Sequence, residues 1–388
     1  MNVTAIICEM NPLHLGHAHI LREIRKTSDC VIAVMSGNFV QRAECAILDK
    51  YARAEAVIRA GADLVVELPF PWCSGGAEYF ASAGTALAHA MGADTLAFGV
   101  TAERGDLYAR IADVLLSPDF AADLQAEAKA FPALGAAHLR QRCLQKRFDE
   151  DLSPVLGAPN DILAIEYVKA IRAAGYAMQI HPILRLSDRE DSRFIGATGI
   201  REMLNSGGNV QAHIPAYSHD ILMRETECGR LADPARLREM IFHHLRFRKN
   251  DDTFAEGGGG VLDRLVRCAA DARSGEEMYA LSATKKYTHA RLRRAALFDF
   301  LAVAESDLKS TPAYTLLLAA NKTGCAYLAS HRKDLSLPIL TKPSDERELS
   351  PAACSQYAKA KEADRLYTLC QRSVAPADAY LRRTPYIT

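Results

Sequence analysis

The 388-residue sequence has no net charge and no long hydrophobic run. Its 47 lysines and arginines balance its 47 aspartates and glutamates, so no global field attracts it to nucleic acid or anionic lipid, and a polyanion site has to be a local patch. No apolar stretch approaches the roughly 20 residues that a membrane-spanning helix needs, and no basic segment with a long apolar run opens the chain. We expect a soluble, cytoplasmic protein without a membrane partner.

The ten cysteines form no recognisable metal-binding or disulfide motif. They are scattered, with no Cys-x-x-Cys pair and no cysteine–histidine grouping at zinc-ligand spacing. Such cysteines are typical of reduced, mostly buried thiols in a cytosolic protein, and we assign no metal ligands. Hydrophobic residues make up 49% of the chain and charged residues 24%. This balance is that of a globular protein long enough for two domains.

Short apolar runs alternate with helical patterns in the first half of the chain. This alternation predicts an α/β fold, in which a parallel sheet carries helices on both faces. Residues 1–205 are therefore predicted to form a Rossmann-like domain. The strand-like runs are 3–8, 30–35, 64–68, 95–98 and 178–184, and the helical patterns include 50–60, 79–90, 106–148, 160–174 and 198–204.

A different pattern follows the linker-like cluster Asn205-Ser206-Gly207-Gly208-Asn209. Beyond it the periodicity is almost wholly helical. Residues 206–388 are therefore predicted to form an α-helical domain. Its helical patterns are 234–247, 261–272, 287–304, 313–329 and 352–371.

The most informative segment is His14-Leu15-Gly16-His17. It follows the first apolar run and opens an amphipathic stretch, so Asn11 and Pro12 mark a strand-to-helix turn. Histidines at i and i+3 share one helix face, and the first turn of a helix favours an anionic group. We interpret the segment as a corner that binds ATP, in which Gly16 lets the nucleotide lie against the backbone. Three fixed residues would also match by accident in about a few cases in a hundred, and the position after the first strand favours the site.

Polar residues also follow the other predicted strands. In an open parallel sheet, ligands bind beyond the carboxyl ends of the strands, so one crevice could collect these residues. Each residue alone also fits a structural role as a turn, cap or surface charge. The residues are Glu9 and Asn11 after the first strand, 36–42 after the second, 69–72 after the third, Gly99 after the fourth and Arg185 after the fifth.

A second candidate for phosphate binding is the segment 196–201. It opens a helix whose N-terminal N–H groups and Thr198 hydroxyl can bind phosphate, and Arg201 lies one turn inside. Arginine suits a departing pyrophosphate because it stays charged and donates several hydrogen bonds. The alternative is an N-capping threonine with a surface arginine.

A basic segment in the second half favours RNA. Residues 278–298 contain no acidic side chain, whereas Tyr287 and His289 lie among several basic ones. This composition fits an RNA backbone. A solvated helix face is the alternative, although such faces usually mix the two signs of charge. The basic residues are Lys285, Lys286, Arg291, Arg293 and Arg294.

Several long segments, in order along nearly the whole chain, resemble the bacterial tRNA(Met) cytidine acetate ligase family of HIGH-type nucleotidyltransferases. The chain departs from the usual family pattern at Met10, Leu13, Leu15 and Gly196. The matching segments are CEMNPLHLGHAHIL, VMSGNFVQRAECAILDKYAR, GADLVVELPFPW, TLAFG, GAPNDILAIEYVKAI, GATGIRE, KKYTHARLRR and LRRTPYIT.

The resemblance implies an ATP-contacting set of residues. His14, His17 and Arg201 are the implied catalytic residues, and Thr198 and Arg201 match the second signature of the family. Magnesium is expected as the counterion of ATP, without assigned ligands. The implied ATP contacts are Ile7, Cys8, Glu9, Met10, Asn11, Pro12, Leu13, His14, Leu15, Gly16, His17, Ala18, His19, Ile20, Gly99, Asn160, Arg185, Thr198 and Arg201.

The resemblance also implies a two-step activity. Acetate attacks the α-phosphate of ATP to give acetyl-adenylate, and the wobble cytidine of elongator tRNA(Met) then takes the acetyl group on N4. The helical domain presents the tRNA through Lys285, Lys286, Arg291 and Arg294. Two alternatives remain open: a nucleotidyltransferase that adenylylates a small phosphorylated metabolite, and a non-catalytic RNA-binding relative.

Overall fold

A computed structural model describes residues 1–102, 104–186, 191–249, 252–331 and 333–388. The strands are β1 (Val3–Cys8), β2 (Cys30–Ser36), β3 (Phe39–Val40), β4 (Glu44–Cys45), β5 (Leu64–Leu68), β6 (Thr95–Val100), β7 (Gln179–Leu184), β8 (Thr315–Ala320), β9 (Ile339–Leu340) and β10 (Tyr386–Ile387). The helices of the first half are α1 (Leu15–Arg25), α2 (Lys50–Arg59), α3 (Ala77–Ala90), α4 (Gly105–Leu116), α5 (Pro118–Ala130), α6 (Ala136–Gln145), α7 (Ser153–Leu156), α8 (Pro159–Ala174) and α9 (Ala197–Asn205).

The helices of the second half are α10 (Ala216–Glu227), α11 (Pro234–Arg246), α12 (Val261–Asp271), α13 (Gly275–Ser282), α14 (His289–Phe300), α15 (Glu305–Lys309), α16 (Lys322–His331) and α17 (Pro351–Cys370). Short 3-10 helices occupy Trp72–Ser74, Pro343–Glu348 and Ala379–Arg382. None of the helices in these described ranges is long and apolar enough to cross a membrane.

The main sheet is mostly parallel, with the strand order β10-β8-β5-β2-β1-β6-β7 and β9 beside β8. Strand β1 lies between β2 and β6, in parallel with both, and the sheet continues in parallel to β5 on one side and to β7 on the other. The strand order therefore reverses at β1. Ligands of open α/β sheets bind at such a reversal, beyond the carboxyl ends of the strands.

The first-half strands form where the sequence predicts them. Strands β1, β2 and β5 are buried along their whole length, as expected for central parallel strands covered on both faces, which appear in the sequence as continuous apolar runs. Helix α2 is capped by Asp49, whose carboxylate accepts hydrogen bonds from the N–H groups of Tyr51 and Ala52. The α/β class is confirmed.

The second half contributes strands as well as helices. The prediction of one helix over 313–329 is wrong, because Thr315–Ala320 forms β8, which pairs with β5 in the antiparallel direction. A short apolar run such as Leu316 to Ala320 cannot be assigned to a helix or a strand by its periodicity alone. The predicted helical region 106–148 divides into α4, α5 and α6. The division of the chain at residue 205 into two domains stays a prediction.

A buried network of charged residues joins the two halves. The Nζ of Lys50 lies 2.9 Å from an oxygen of Glu67 and 2.7 Å from one of Asp364, and Lys50 is 1% exposed. Asn38 donates a 2.8 Å hydrogen bond to Asp364 and accepts one from the Lys50 backbone. Although burial alone lowers the pKa of Lys50, the carboxylates of Asp364 and Glu67 raise it well above its ordinary value. The lysine therefore stays charged inside the protein.

Candidate active site

A cleft with a volume of about 380 Å³ opens at the carboxyl ends of β1 and β6, where the strand order reverses. The loop after β1, the end of β6 and the first turns of α1, α8 and α9 line it. Most of the residues implied to contact ATP lie on its wall. They are Ile7, Cys8, Glu9, Met10, Asn11, His14, His17, Ile20, Gly99, Asn160, Arg185, Thr198 and Arg201.

The other residues of the first motif do not line this cleft. Leu13 is buried in the core. The Nδ1 of His19 lies 3.9 Å from Oε1 of Glu23, which is also on α1. Their contact with ATP stays a prediction that the shape of the cleft does not support. The residues that lie off the wall are Pro12, Leu13, Leu15, Gly16, Ala18 and His19.

The two histidines meet at the start of α1. His14 is the N-cap residue, and its Nδ1 accepts a 3.1 Å hydrogen bond from the Gly16 N–H. The Nδ1 of His17 accepts from the His14 N–H at 3.4 Å, and the two rings stack with their centroids 3.6 Å apart. Because each Nδ1 accepts, the proton of each neutral ring lies on Nε2. The Nε2–H of His14 therefore stays available to a ligand, whereas the ring of His17 is also hydrogen-bonded to the Pro12 carbonyl oxygen.

The environment keeps both imidazoles neutral. Burial, with the nearby positive charge of Arg185, lowers the pKa of His14 to about 3. Burial also lowers the pKa of His17 well below its ordinary value, and the charges of His14 and Arg185 act in the same direction. Near neutral pH the pair consists of uncharged hydrogen-bond donors.

Gly16 lies against the ring of His14. A Cβ built on this residue would lie 2.9 Å from Cε1 of His14 and 3.1 Å from its Nδ1, and Gly16 itself does not line the cleft. The missing side chain therefore makes room for the imidazole of His14. The prediction that it makes room for the nucleotide has no support in this geometry.

Three helix N-termini meet at the cleft. His14 caps α1, Asn160 lies in the first turn of α8, and Thr198 lies in the first turn of α9. The free N–H groups and the dipole of each helix provide partial positive charge at its N-terminus. Their convergence suits an oligophosphate better than one terminus would.

Two arginines are fixed by hydrogen bonds at the wall of the cleft. Arg185 donates a 3.0 Å bond to Oδ1 of Asn160. Arg201 donates to the Asn11 carbonyl oxygen at 2.8 Å and to Oγ1 of Thr198 at 3.3 Å. These bonds hold the arginines toward the phosphates that the helix N-termini would attract.

Glu9 is a carboxylate in the cleft wall, with Arg42, Arg53 and Arg201 nearby. Its Oε1 accepts a 2.9 Å hydrogen bond from the Gln41 N–H, and burial raises the pKa of Glu9 against the opposing effects of this bond and of Arg201. The bond ties the loop after β3 to the loop after β1. Glu9 thereby shapes the cleft as well as lining it.

Sequence reasoning missed Arg53, which supports the cleft from behind. This fully buried side chain donates hydrogen bonds to the carbonyl oxygens of Glu9, Gly37 and Leu48. It therefore fixes the loops that follow β1 and β2. Nothing local distinguishes it from a surface arginine in a helix, although charged side chains of this kind are seldom fully buried without partners.

The loops after β2 and β5 join the crevice only in part. Val40, Gln41 and Arg42 line the cleft, whereas Asn38 turns into the buried network with Asp364. Phe70 and Trp72 belong to the core. The indole N–H of Trp72 donates a 2.9 Å bond to the Ser310 carbonyl oxygen, which is a structural role.

The basic residues in and just before α14 divide into exposed lysines and arginines that have a hydrogen bond or an ion pair. Lys285 and Lys286 are exposed. Arg291 donates to the Gly258 carbonyl oxygen at 3.2 Å, and Arg294 pairs with Glu256 at 2.8 Å. Because Arg294 is paired with a carboxylate, it is less available to a phosphate. The binding of Arg294 to RNA stays a prediction, and this ion pair argues against it.

The described part of the chain contains no group of three or more His, Cys, Asp or Glu residues that could hold a metal ion. Magnesium usually keeps several water ligands and binds through substrate phosphates as well as one or two carboxylates. The donor set of the cleft therefore does not form a metal cage of its own.

Comparison with known proteins finds a matching family model and close relatives over most of the chain. The family model of the HIGH Nucleotidyl Transferases matches residues 1–380. The tRNA(Met) cytidine acetate ligase of Syntrophotalea carbinolica is 33% identical over 365 residues, which are 88% of this chain and 85% of the relative. The ligase of the same name from Caldanaerobacter subterraneus subsp. tengcongensis is 33% identical over 362 residues, 88% of this chain and 89% of the relative.

Solved structures share the whole fold. The crystal structure of Thermotoga maritima TmcAL bound with alpha-thio ATP superimposes with a TM-score of 0.93 at 28% identity. The match covers 100% of this chain and 99% of that one. The apo form of the same protein matches equally well.

Proposed function

Because this chain belongs to the tRNA(Met) cytidine acetate ligase family of HIGH nucleotidyl transferases, we propose that it is an ATP-dependent ligase that acetylates N4 of the wobble cytidine of elongator tRNA(Met). The substrates are acetate, ATP and the tRNA, and the product nucleoside is N4-acetylcytidine. The reaction takes place in the cytoplasm, where tRNA is found. The observation that carries the proposal is the pair of neutral imidazole donors at a cleft where three helix N-termini meet.

The first step forms acetyl-adenylate. An acetate oxygen attacks the α-phosphorus of ATP, and the bond to the bridging oxygen breaks to release pyrophosphate. Negative charge builds up on the non-bridging oxygens, and the Nε2–H groups of His14 and His17 stabilise it. Arg185 and Arg201, held by Asn160 and Thr198, bind the β- and γ-phosphates and the departing pyrophosphate.

The second step transfers the acetyl group. The exocyclic amine of cytosine is conjugated with the ring and is a poor nucleophile, so acetate needs the AMP leaving group. The N4 nitrogen attacks the acetyl carbonyl carbon, AMP leaves with the electrons of the broken C–O bond, and N4 loses a proton. No covalent bond to the enzyme is required, and catalysis consists of positioning and electrostatics.

Magnesium enters as the counterion of ATP. The cleft carries two acidic side chains, Glu9 and Glu44, but no ready-made cage, so the ion would be held chiefly by the phosphates and water. It would neutralise part of the triphosphate charge. The steps assigned to the chain's own residues do not depend on a protein ligand to this ion.

The tRNA lies against the basic segment before α14. Lys285 and Lys286 are exposed there. The Nη1 of Arg293, in α14, lies 3.0 Å from Oε1 of Glu44, and Glu44 lines the cleft. The helix that follows the two exposed lysines is thus joined to the wall of the nucleotide cleft through Arg293.

Two measurements on the purified protein test the proposal. We expect acetate-dependent exchange of labelled pyrophosphate into ATP, and we expect mass analysis of elongator tRNA(Met) to show one acetyl group after incubation with ATP and acetate. Exchange that ignores acetate would favour a nucleotidyltransferase acting on another small substrate. Absence of exchange, together with retained tRNA binding, would indicate a non-catalytic RNA-binding protein.

A further inference from the structure

A second, smaller cavity of about 170 Å³ adjoins the nucleotide cleft. Glu44, Thr198 and Arg201 line both spaces, so the two share one wall. Arg201 is held in that wall by its bonds to Asn11 and Thr198. A group placed in the second cavity therefore lies directly beside whatever occupies the cleft.

The second cavity has apolar walls and several polar side chains that have no hydrogen-bond or ion-pair partner in the described part of the chain. Cys45 and Ile47 are buried and present apolar surface. The side chains of Glu202, Asn205 and Arg238 also line it, and none of them makes a hydrogen bond or ion pair within the described ranges. Small cavities that bind ligands typically have such a composition, with an apolar body and a few convergent polar groups.

Glu44 connects this cavity to the predicted RNA-binding segment. Its Oε1 lies 3.0 Å from Nη1 of Arg293, and both side chains are about one quarter exposed. The ion pair with Arg293 holds the carboxylate of Glu44 in place. Glu44 is therefore a hydrogen-bond acceptor at the junction of the cleft, the second cavity and the basic segment.

We propose that this second cavity, which we call the base pocket, holds the cytosine of the RNA substrate after the base has left its stack. The inference rests on the proposed function and adds the residues that recognise the base. Glu44 accepts a hydrogen bond from the N4 amine, and Arg238 donates to N3 or O2. Because Glu44 lines both spaces, this orientation directs N4 toward the nucleotide cleft.

The polarity of these two residues selects cytosine over uracil. Cytosine presents a donor at N4 and acceptors at N3 and O2, which match a carboxylate and a guanidinium. Uracil presents an acceptor at O4 and a donor at N3. The carboxylate of Glu44 would then face O4, and no hydrogen bond could form between these two acceptors. Enzymes that modify a base generally read a flipped base by such contacts to its Watson–Crick edge.

The test compares affinities for two RNA hairpins. One is the anticodon stem-loop of elongator tRNA(Met), and the other carries uridine in place of its wobble cytidine. We expect the wild-type protein to prefer the cytidine hairpin by at least about tenfold. Glu44→Gln and Arg238→Ala should each remove most of this preference, since a Gln amide can also donate to uracil O4. Arg267→Ala, which removes an exposed arginine of α12, is the matched control and should keep the preference.

Different results would contradict the base pocket and the proposed function. Equal wild-type affinity for the two hairpins, or a preference that survives both substitutions, overturns the base pocket. Thermal unfolding of each variant shows whether it is folded. If the wild-type protein lacks acetate-dependent pyrophosphate exchange, the proposed function itself fails, whatever the hairpins show.

Discussion

The imidazoles of His14 and His17 differ from arginine or lysine because they carry no charge near neutral pH. A neutral donor adds no net positive charge to the ground-state complex, and it still stabilises the negative charge that builds up at the reacting phosphate. Only interactions that strengthen in the transition state raise the rate of the chemical step. Burial beside Arg185 therefore makes the pair suited to catalysis as well as to binding.

Removing one imidazole should separate catalysis from folding. We expect His17→Ala to lower acetate-dependent pyrophosphate exchange by about 100- to 1000-fold, the usual effect of losing one preorganised donor. His138→Ala is the control, because His138 is exposed on α6 and does not line the cleft. Full exchange activity in His17→Ala, or equal loss in both variants, would contradict the assignment.

The depressed pKa of His14 makes the stability of the protein depend on pH. The unfolded chain binds a proton near pH 6.5, whereas the folded protein does so only near pH 3. Stability is therefore greatest above about pH 6.5 and is lost as the pH falls toward 3. From pH 6.5 to 5, His14 alone should remove about 2 kcal/mol from the free energy of unfolding.

Chemical denaturation at pH 7 and pH 5 measures this dependence. His14→Gln removes the titrating ring, so the difference between the two pH values should be smaller in the variant than in the wild type. The variant also loses an N-cap, which lowers its stability at both pH values. An unchanged difference would show that His14 titrates normally in the folded protein.

The first turn of α1 is built around the ring of His14. Alanine is a better helix former than glycine by about 1 kcal/mol, so Gly16→Ala should leave the protein folded. Its Cβ, however, would approach Cε1 of His14 to 2.9 Å and displace the imidazole. Since small misplacements of catalytic groups are costly, we expect pyrophosphate exchange to fall by about tenfold or more.

Gly105→Ala is the control for this substitution. Gly105 begins α4, and a Cβ there would meet only Cγ of Pro182, at 4.0 Å. Exchange should be retained in this variant, and thermal unfolding of both variants shows that they are folded. Normal exchange in Gly16→Ala would mean that the position of His14 tolerates the contact.

The elements differ in how far the sequence predicts them. Strands β1, β2 and β5 are central and parallel, so both faces are apolar and each is a short hydrophobic run. Strand β8 is also such a run, but α16 begins two residues after it, so the combined stretch resembles one long helix. Its pairing with β5 is a contact between distant residues, which a local pattern does not contain.

The candidate site could be predicted where its residues lie close together in the sequence. His14 and His17 are one helical turn apart, and Thr198 and Arg201 repeat this spacing in α9. Arg53 supports the cleft from a helix far along the chain, and no spacing connects it with Glu9. Charged side chains that hold loops from behind therefore become visible only in the folded structure.

The segment before α14 should contribute to RNA binding through its exposed lysines. Each phosphate contact made by a lysine adds about one unit to the slope of log affinity against log salt concentration. Removing both side chains in Lys285→Ala/Lys286→Ala should therefore weaken tRNA binding and lower this slope by about 2, with pyrophosphate exchange unchanged.

Lys309→Ala/Lys333→Ala removes two other exposed lysines and serves as the control. A similar decrease in slope for both double variants would indicate a general charge effect. An unchanged slope for Lys285→Ala/Lys286→Ala would exclude these two lysines from the RNA-binding surface.

The two halves of the chain are joined through the core as well as along the backbone. Strand β8 pairs with β5, and the hydroxyl of Tyr367 donates a 2.8 Å bond to the Ala46 carbonyl oxygen. Asp364 neutralises Lys50 from α17. Each contact is buried and joins residues more than 200 positions apart, so the nucleotide cleft rests on a sheet to which both halves contribute.

This arrangement predicts that residues 1–205 do not fold alone, although the cleft is lined entirely by them. The fragment would expose the hydrophobic edge of β5 and leave Lys50 with one of its two buried carboxylates. Breaking a buried ion pair typically costs about 3–5 kcal/mol, a large part of the about 5–15 kcal/mol that stabilises most proteins. We expect calorimetry to show cooperative unfolding for the full chain and none for the fragment. A cooperative transition near the full-length midpoint would instead mean that the first 205 residues are an autonomous domain, and that β8 and Asp364 only dock against it.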